Sequence, residues 1–192
     1  FERIGAFYPD DTVRLPDFVV PSGYTDNDWL KRLSSEGLFN ILKKNKLIDN
    51  KKFVAEYEQR LNHELKVIAD RGFSKYFLTM KAITDRTNEI QLSGPGRGSA
   101  AGSLVAYALG ITQVDPIKYG LLFSRFLRAD ATDYPDIDYD VSDPMVLKEH
   151  LIAEWGSNTV VPISNFNTLQ LRSLIKDVSK LYEVPFLEVN TV

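Results

Sequence analysis

Apolar positions recur along this chain at two periods, and the change of period marks out its parts. Between about residues 53 and 70, Tyr57, Leu61, Leu65 and Ile68 fall three or four apart, the spacing of one helix face, and Gly72 closes the run. An earlier helix passes through Trp29, Leu30, Leu33 and Gly37, with Thr25 and Asp28 as N-cap candidates. Asp143-Pro144 starts another, with Val146, Leu147, His150, Leu151 and Trp155 on one face. The last spans about 166–181, with Leu169, Leu174, Val178 and Leu181 apolar. The Ala-rich run 100–110 predicts a buried helix closed by Gly110, its small residues permitting close packing against a sheet. Residues 17–20 read as a short strand in an extended, Pro- and Gly-containing lead-in, and 159–163 as a second strand. Residues 121–127 read as helix or turn. Phe73, Tyr76, Phe77, Met80 and Ile83 fit strand or helix, with 76–80 the start of a strand leading into a helix through Thr87.

Period two is clearest in Pro135-Asp136-Ile137-Asp138-Tyr139-Asp140. On a strand, side chains at i, i+2 and i+4 share a face, so Asp136, Asp138 and Asp140 point one way and Ile137, Tyr139 and Val141 the other. A row of carboxylates is repulsive unless cations sit among them, which suits a Mg²⁺ site for phosphoryl or nucleotidyl transfer. A solvated acidic loop is the plain alternative. A calcium loop of the helix-loop-helix type fails, because position 6 is Val141 rather than Gly and position 12 is Leu147 rather than Glu.

Residues 94–99, Gly-Pro-Gly-Arg-Gly-Ser, carry the second motif. Gly94, Gly96 and Gly98 let backbone amides approach an anion. Arg97 offers a planar cation and Ser99 a hydroxyl for phosphate oxygens, and the helix that follows would aim its N-terminus at the same anion. The motif is neither a Walker loop, having no Gly-Lys-Ser/Thr, nor a dinucleotide fingerprint. A glycine turn before a helix can be purely structural. Together, however, the two motifs supply phosphate donors and metal ligands, the pair of requirements for nucleotidyl transfer.

Composition narrows the frame. The 192 residues, 44% hydrophobic and 26% charged, suffice for one large domain, or one domain plus a fragment of another. No run approaches the roughly 18 apolar residues of a membrane span. The start at Phe1, without a targeting pattern, reads as that of an excised fragment. The absence of Cys excludes disulfides and thiolate metal sites and fits a reducing compartment. A net charge of -3 argues against a free-standing basic nucleic-acid binder, but not against a module whose metal site is itself acidic. Lys43, Lys44, Lys46, Lys51 and Lys52 read as solvated surface, and His63 and His150 as surface or packing residues. Arg172, Lys176 and Lys180, four apart, form a basic stripe that suits phosphate contact.

The long run from Gly94 to Thr112, Asp115-Pro116, Gly72-Phe73 with Tyr76-Phe77-Leu78, Leu122-Phe123 with Arg125-Phe126-Leu127, and the aspartate motif resemble, in this order, the C-family replicative DNA polymerases of bacteria, the polymerase III alpha subunits. The similarity covers residues 15–185. The resemblance implies an α/β (α+β) fold: a nucleotidyltransferase palm like that of polymerase beta, with a mixed sheet flanked by helices, then the start of a helical thumb. The expected division is 1–24 lead-in, 25–164 palm and 165–192 thumb.

The resemblance further implies template-directed transfer from dNTP to a primer 3′-hydroxyl with two Mg²⁺ ions. Asp136 and Asp138 would be the catalytic metal ligands, with Asp140 on the same face, while Gly98 and Ser99, assisted by Arg97, would hold the triphosphate. Implied partners are primer-template DNA and dNTP, with a sliding clamp and other replisome subunits reached through regions outside this chain. The implied setting is cytoplasmic and nucleoid-associated, with no membrane. Phe166-Asn167-Thr168-Leu169 stands where the family has Phe-Gly-Thr-Met, and Arg172 where it has Lys, marking a diverged member. A third catalytic aspartate, expected downstream, is not in this chain, so the chain alone should be a poor catalyst or inactive. A template-independent nucleotidyltransferase and a non-catalytic DNA- or replisome-binding module remain alternatives.

Overall fold

Thr25 opens the first helix through a capping box. Its hydroxyl oxygen accepts from the Asp28 amide at 3.2 Å, and the Asp28 carboxylate accepts from the Thr25 amide. The computed structural model describes residues 12, 14–16, 20–163, 168 and 170–189. Helix α1 (Asp26–Lys44) continues past Gly37 without a break. Gly37 sits where a Cβ would overlap the carbonyl oxygen of Ala108, so this glycine marks a close helix approach rather than a stop. Helix α2 (Lys51–Asp70) is capped by Asn50 and buries Tyr57, Leu61, Leu65 and Ile68, the stripe its sequence spacing predicts.

Helix α3 (Ser74–Ile90) absorbs the segment expected to begin as a strand. Phe77, Thr84 and Thr87 are buried at helical intervals of seven and three, a pattern no strand face could place inside. A short 3₁₀ turn (Ser99–Gly102) and helix α4 (Leu104–Ala108) replace the single Ala-rich helix, with Ser103 between them. This segment is buried as expected, but α4 packs against helices α1 and α2 rather than a sheet. Residues 121–127 resolve into a 3₁₀ turn (Phe123–Arg125). Asp143 caps helix α5 (Pro144–Trp155), accepting from the Met145 and Val146 amides at 2.9 and 3.2 Å. Leu147 and Leu151 of α5 are buried, whereas His150 is exposed.

The mixed-sheet α/β (α+β) palm is therefore corrected: among the described residues the protein is helical and forms no strand. Its nearest approach to a sheet is one isolated antiparallel bridge, Ser93 with Val141. Two bonds make it, Gly94 N–H to the Asp140 carbonyl at 2.9 Å and Ser142 N–H to the Leu92 carbonyl at 3.1 Å. The bridge cannot grow. In this register the next rungs would fall at Gly96 with Asp138, where a φ of +113° takes the chain away, and at Ile90 with Pro144, where Ile90 ends α3 and Pro144 has no amide. Alternation at period two thus reported an extended segment with two faces, not a strand with neighbours. Residues 159–163 likewise form no strand; Val161 and Ile163 are exposed in irregular chain.

The chain divides into two compact units, Phe1–Val160 and Val161–Val192. In the second, α6 (Leu171–Leu181) and α7 (Phe186–Val189) are helical, and Lys176 of the basic stripe lies over the Phe186 ring at 5.8 Å. Residues 17–19 of the expected first strand, and Phe166, Asn167 and Leu169, lie outside the described residues. Gly37→Ala should lower the stability of the first unit by about 1–3 kcal/mol through overpacking against α4, read as a reduced urea midpoint with unchanged slope.

Candidate functional site

The aspartate segment is held at both ends by α3. At its start, the Tyr134 ring packs on Phe73 and Tyr76 with centroids 4.7 and 5.4 Å apart, and Pro135 is buried. The Ile137 amide lies beside the Tyr76 hydroxyl. Burial pushes the Tyr76 hydroxyl above its usual pKa, and the nearby Asp136 charge adds to the rise while the Ile137 amide opposes it. At the segment's end, the Gln91 side chain closes the corner: its oxygen accepts from Asp143 N–H at 2.6 Å and Ser142 Oγ at 2.9 Å, and its nitrogen donates to the Asp143 carbonyl at 3.0 Å. The 17 residues of α3 span about 25 Å. An extended chain covers that distance in about eight residues, close to the stretch between the two anchors.

The glycine turn lies directly on this segment. Gly98 has φ +66°, and a Cβ there would overlap the Asp138 carboxylate. A Cβ on Gly94 would come 3.1 Å from the Asp140 Cβ. Arg97, 63% exposed, reaches back between two carboxylates, with Nη2 3.5 Å from Asp138 and Nε 3.6 Å from Asp140. The structure therefore brings Arg97, Gly98, Asp138 and Asp140 together. Asp136 is exposed one step away, beside Tyr76. Among the described residues, no three His, Cys, Asp or Glu side chains converge to hold a metal ion.

Behind the turn sits a residue pair that the sequence reading passed over. Glu64 of α2 is fully buried. One of its carboxylate oxygens accepts from Arg60 Nε at 2.6 Å, and the other from Ser103 Oγ at 2.9 Å and Val105 N–H at 3.0 Å. Burial pushes the carboxyl up, against the pull of the Leu104 and Val105 amides and of Arg60. The expectation that the helix after the glycine turn aims its N-terminus at a bound anion is thereby corrected: the anion at the start of α4 is the protein's own Glu64. The signal was available. Glu64 falls on the apolar face of Tyr57, Leu61 and Ile68, where a carboxylate must be paired, and Arg60 stands one helical turn before it.

Arg60 Nη2 also donates to the carbonyls of Gly102 at 2.8 Å and Leu121 at 3.1 Å. These carbonyls belong to the two walls of an open cleft of about 390 Å³. Gly98, Ser99, Ala101 and Gly102 form one wall; Gly120, Leu121, Leu122 and Arg125 form the other. Arg125 is a cation on the wall opposite the Ser99 turn, a position that local sequence pattern does not single out. The five lysines around the α1–α2 junction are exposed, as is His63, whose ring meets Phe123 edge-on at 6.2 Å. Removing the buried carboxylate by Glu64→Ala should cost about 3–5 kcal/mol, because Arg60 is left without its partner. Chemical denaturation of the variant beside the parent measures it.

The family model described as the bacterial DNA polymerase III alpha NTPase domain matches residues 28–192. The DNA polymerase III subunit alpha of Aquifex aeolicus is 38% identical over 183 residues, covering 93% of this chain and 15% of that protein. Its counterpart in Staphylococcus epidermidis is 40% identical over 171 residues, 87% of this chain and 15% of that protein. That of Neisseria meningitidis serogroup B is 37% identical over 179 residues, 90% and 16% respectively. The chain thus spans about 15% of the length of these curated relatives. On the match to the family model, the chain belongs to the bacterial DNA polymerase III alpha family.

Proposed function

We propose that this chain carries the nucleotide- and metal-binding part of a replicative DNA polymerase, in which a primer 3′-hydroxyl attacks the α-phosphate of a dNTP and pyrophosphate leaves. One observation carries the reading. Arg97 and Asp138 stand 41 positions apart in sequence, yet the glycine turn and the aspartate motif meet with no room for a side chain at Gly98. A phosphate cradle in contact with carboxylates is the juxtaposition that nucleotidyl transfer requires.

The roles divide by chemistry. Gly98 and Ser99 present backbone and hydroxyl donors to the β- and γ-phosphates, and Arg97 and Arg125 supply planar cations from the two sides. Arg97 is well placed to turn toward phosphate, because its contacts to Asp138 and Asp140 are long and solvent-exposed, and such pairs contribute less than about 1 kcal/mol. Asp136 and Asp138 offer the hard carboxylate oxygens that suit Mg²⁺, an ion commonly held by one or two carboxylates together with substrate phosphates. Bound there, Mg²⁺ would stabilise the charge on the attacking and leaving oxygens. In this reading the chain by itself turns over poorly or not at all. Primer-template DNA is the other substrate in this reading. Sliding-clamp and replisome contacts would lie on other parts of the polypeptide. No helix among the described residues is long and apolar enough to cross a membrane. Residues 165–192 would be the start of the segment that grips the duplex.

In the complete polypeptide, Asp136→Asn and Asp138→Asn should each abolish primer extension while leaving the melting temperature within a few degrees of the parent. Normal extension by the Asp138→Asn enzyme would sink the assignment.

A further inference from the structure

The cleft between the Ser99 turn and Arg125 has a fastener behind it. Its two walls come from segments about twenty residues apart, and they touch where a Cβ on Gly102 would lie 2.8 Å from the Leu122 carbonyl oxygen. Two carbonyls, of Gly102 and Leu121, converge on one nitrogen of Arg60. Without a donor between them, two such dipoles would repel and leave part-buried acceptors unpaired. Arg60 cannot swing away, because its Nε is fixed by the buried Glu64 carboxylate, itself fixed by Ser103 and Val105 at the start of α4.

We infer that Arg60 is a positioning residue, setting the separation of the two cleft walls and through it the affinity for the phosphate chain of a nucleotide. The inference rests on the cleft being the triphosphate site proposed above. Arg60 acts through Gly102 and Leu121 and needs no contact with the nucleotide. The guanidinium is required for its shape: one edge bonds Glu64 while a separate nitrogen bonds both walls. A lysine ammonium keeps the charge but cannot reach all three partners in that fixed fork.

The test compares steady-state primer extension and thermal melting for the intact polymerase polypeptide with its Arg60→Lys, Ser99→Ala and Arg125→Ala variants. Arg60→Lys should raise the KM for dNTP about tenfold with kcat within about twofold, since misplaced walls weaken binding without touching the reacting atoms. An unchanged KM in Arg60→Lys, where Ser99→Ala or Arg125→Ala raises it, overturns the inference alone and leaves Arg60 a structural residue. An unchanged KM in Ser99→Ala and Arg125→Ala alike overturns the reading of the cleft and this inference with it. If Arg60→Lys melts far below the parent, the double variant Arg60→Gln with Glu64→Gln, which removes both buried charges together, is read by the same KM criterion.

Discussion

The structure turns on one buried charge. Glu64 lies inside a helical core whose other large residues are apolar or aromatic, and a carboxylate is tolerated there only with its oxygens fully engaged. Its partners come from three places: Arg60 on its own helix, the Ser103 hydroxyl, and the first amides of α4. That set ties the long helix α2 to the short segment that follows the glycine turn. A five-residue helix has little stability of its own, and here its start is held by a full negative charge rather than by its length. The direction in which the chain leaves Ser99 is set by this pairing.

The second constraint is that the acidic segment is stretched along a helix instead of laid in a sheet. In a sheet, each residue is fixed by backbone bonds to two neighbours. Here the fixed points are few: the aromatic contact of Tyr134 with Phe73 and Tyr76, the Ile137 amide on Tyr76, the single bridge at Ser93, and the Gln91 corner. The middle residues are held between the glycine turn on the carboxylate side and the core on the other, against which Ile137 packs. Carboxylate placement and phosphate-cradle placement are consequently one problem, solved at Gly98.

Much of the helical architecture was legible, because it depends on local periodicity. Tyr57, Leu61, Leu65 and Ile68 declared α2, and the Thr25 and Asp143 caps declared the starts of α1 and α5. The failures share a cause: strand status depends on a partner that local pattern does not name. Residues 135–141 alternate as a strand would, but only 92–94 pair with their end, against 140–142, and the positive φ of Gly96 takes the chain away before another rung forms. Residues 76–80 look strand-like by β-propensity, yet tertiary burial of Phe77 together with Thr84 and Thr87 decides for helix. At the site, the residues that touch one another were visible as motifs. The pair that supports them carries a quieter signal: Arg60 and Glu64 have the spacing of any helical ion pair, and only the place of Glu64 on the apolar face of α2 sets them apart.

Arg97 gives the acidic row a character of its own. The carboxylates of Asp138 and Asp140 carry a counterion on a tether, so like charges sit side by side with their repulsion already offset. Under the proposed function, such a site would work as an ion exchanger. An arriving cation competes with a guanidinium held at high effective concentration, and an arriving polyanion is offered that same guanidinium as it is released. Loading of the two would therefore be linked by charge balance alone, with no change of backbone required.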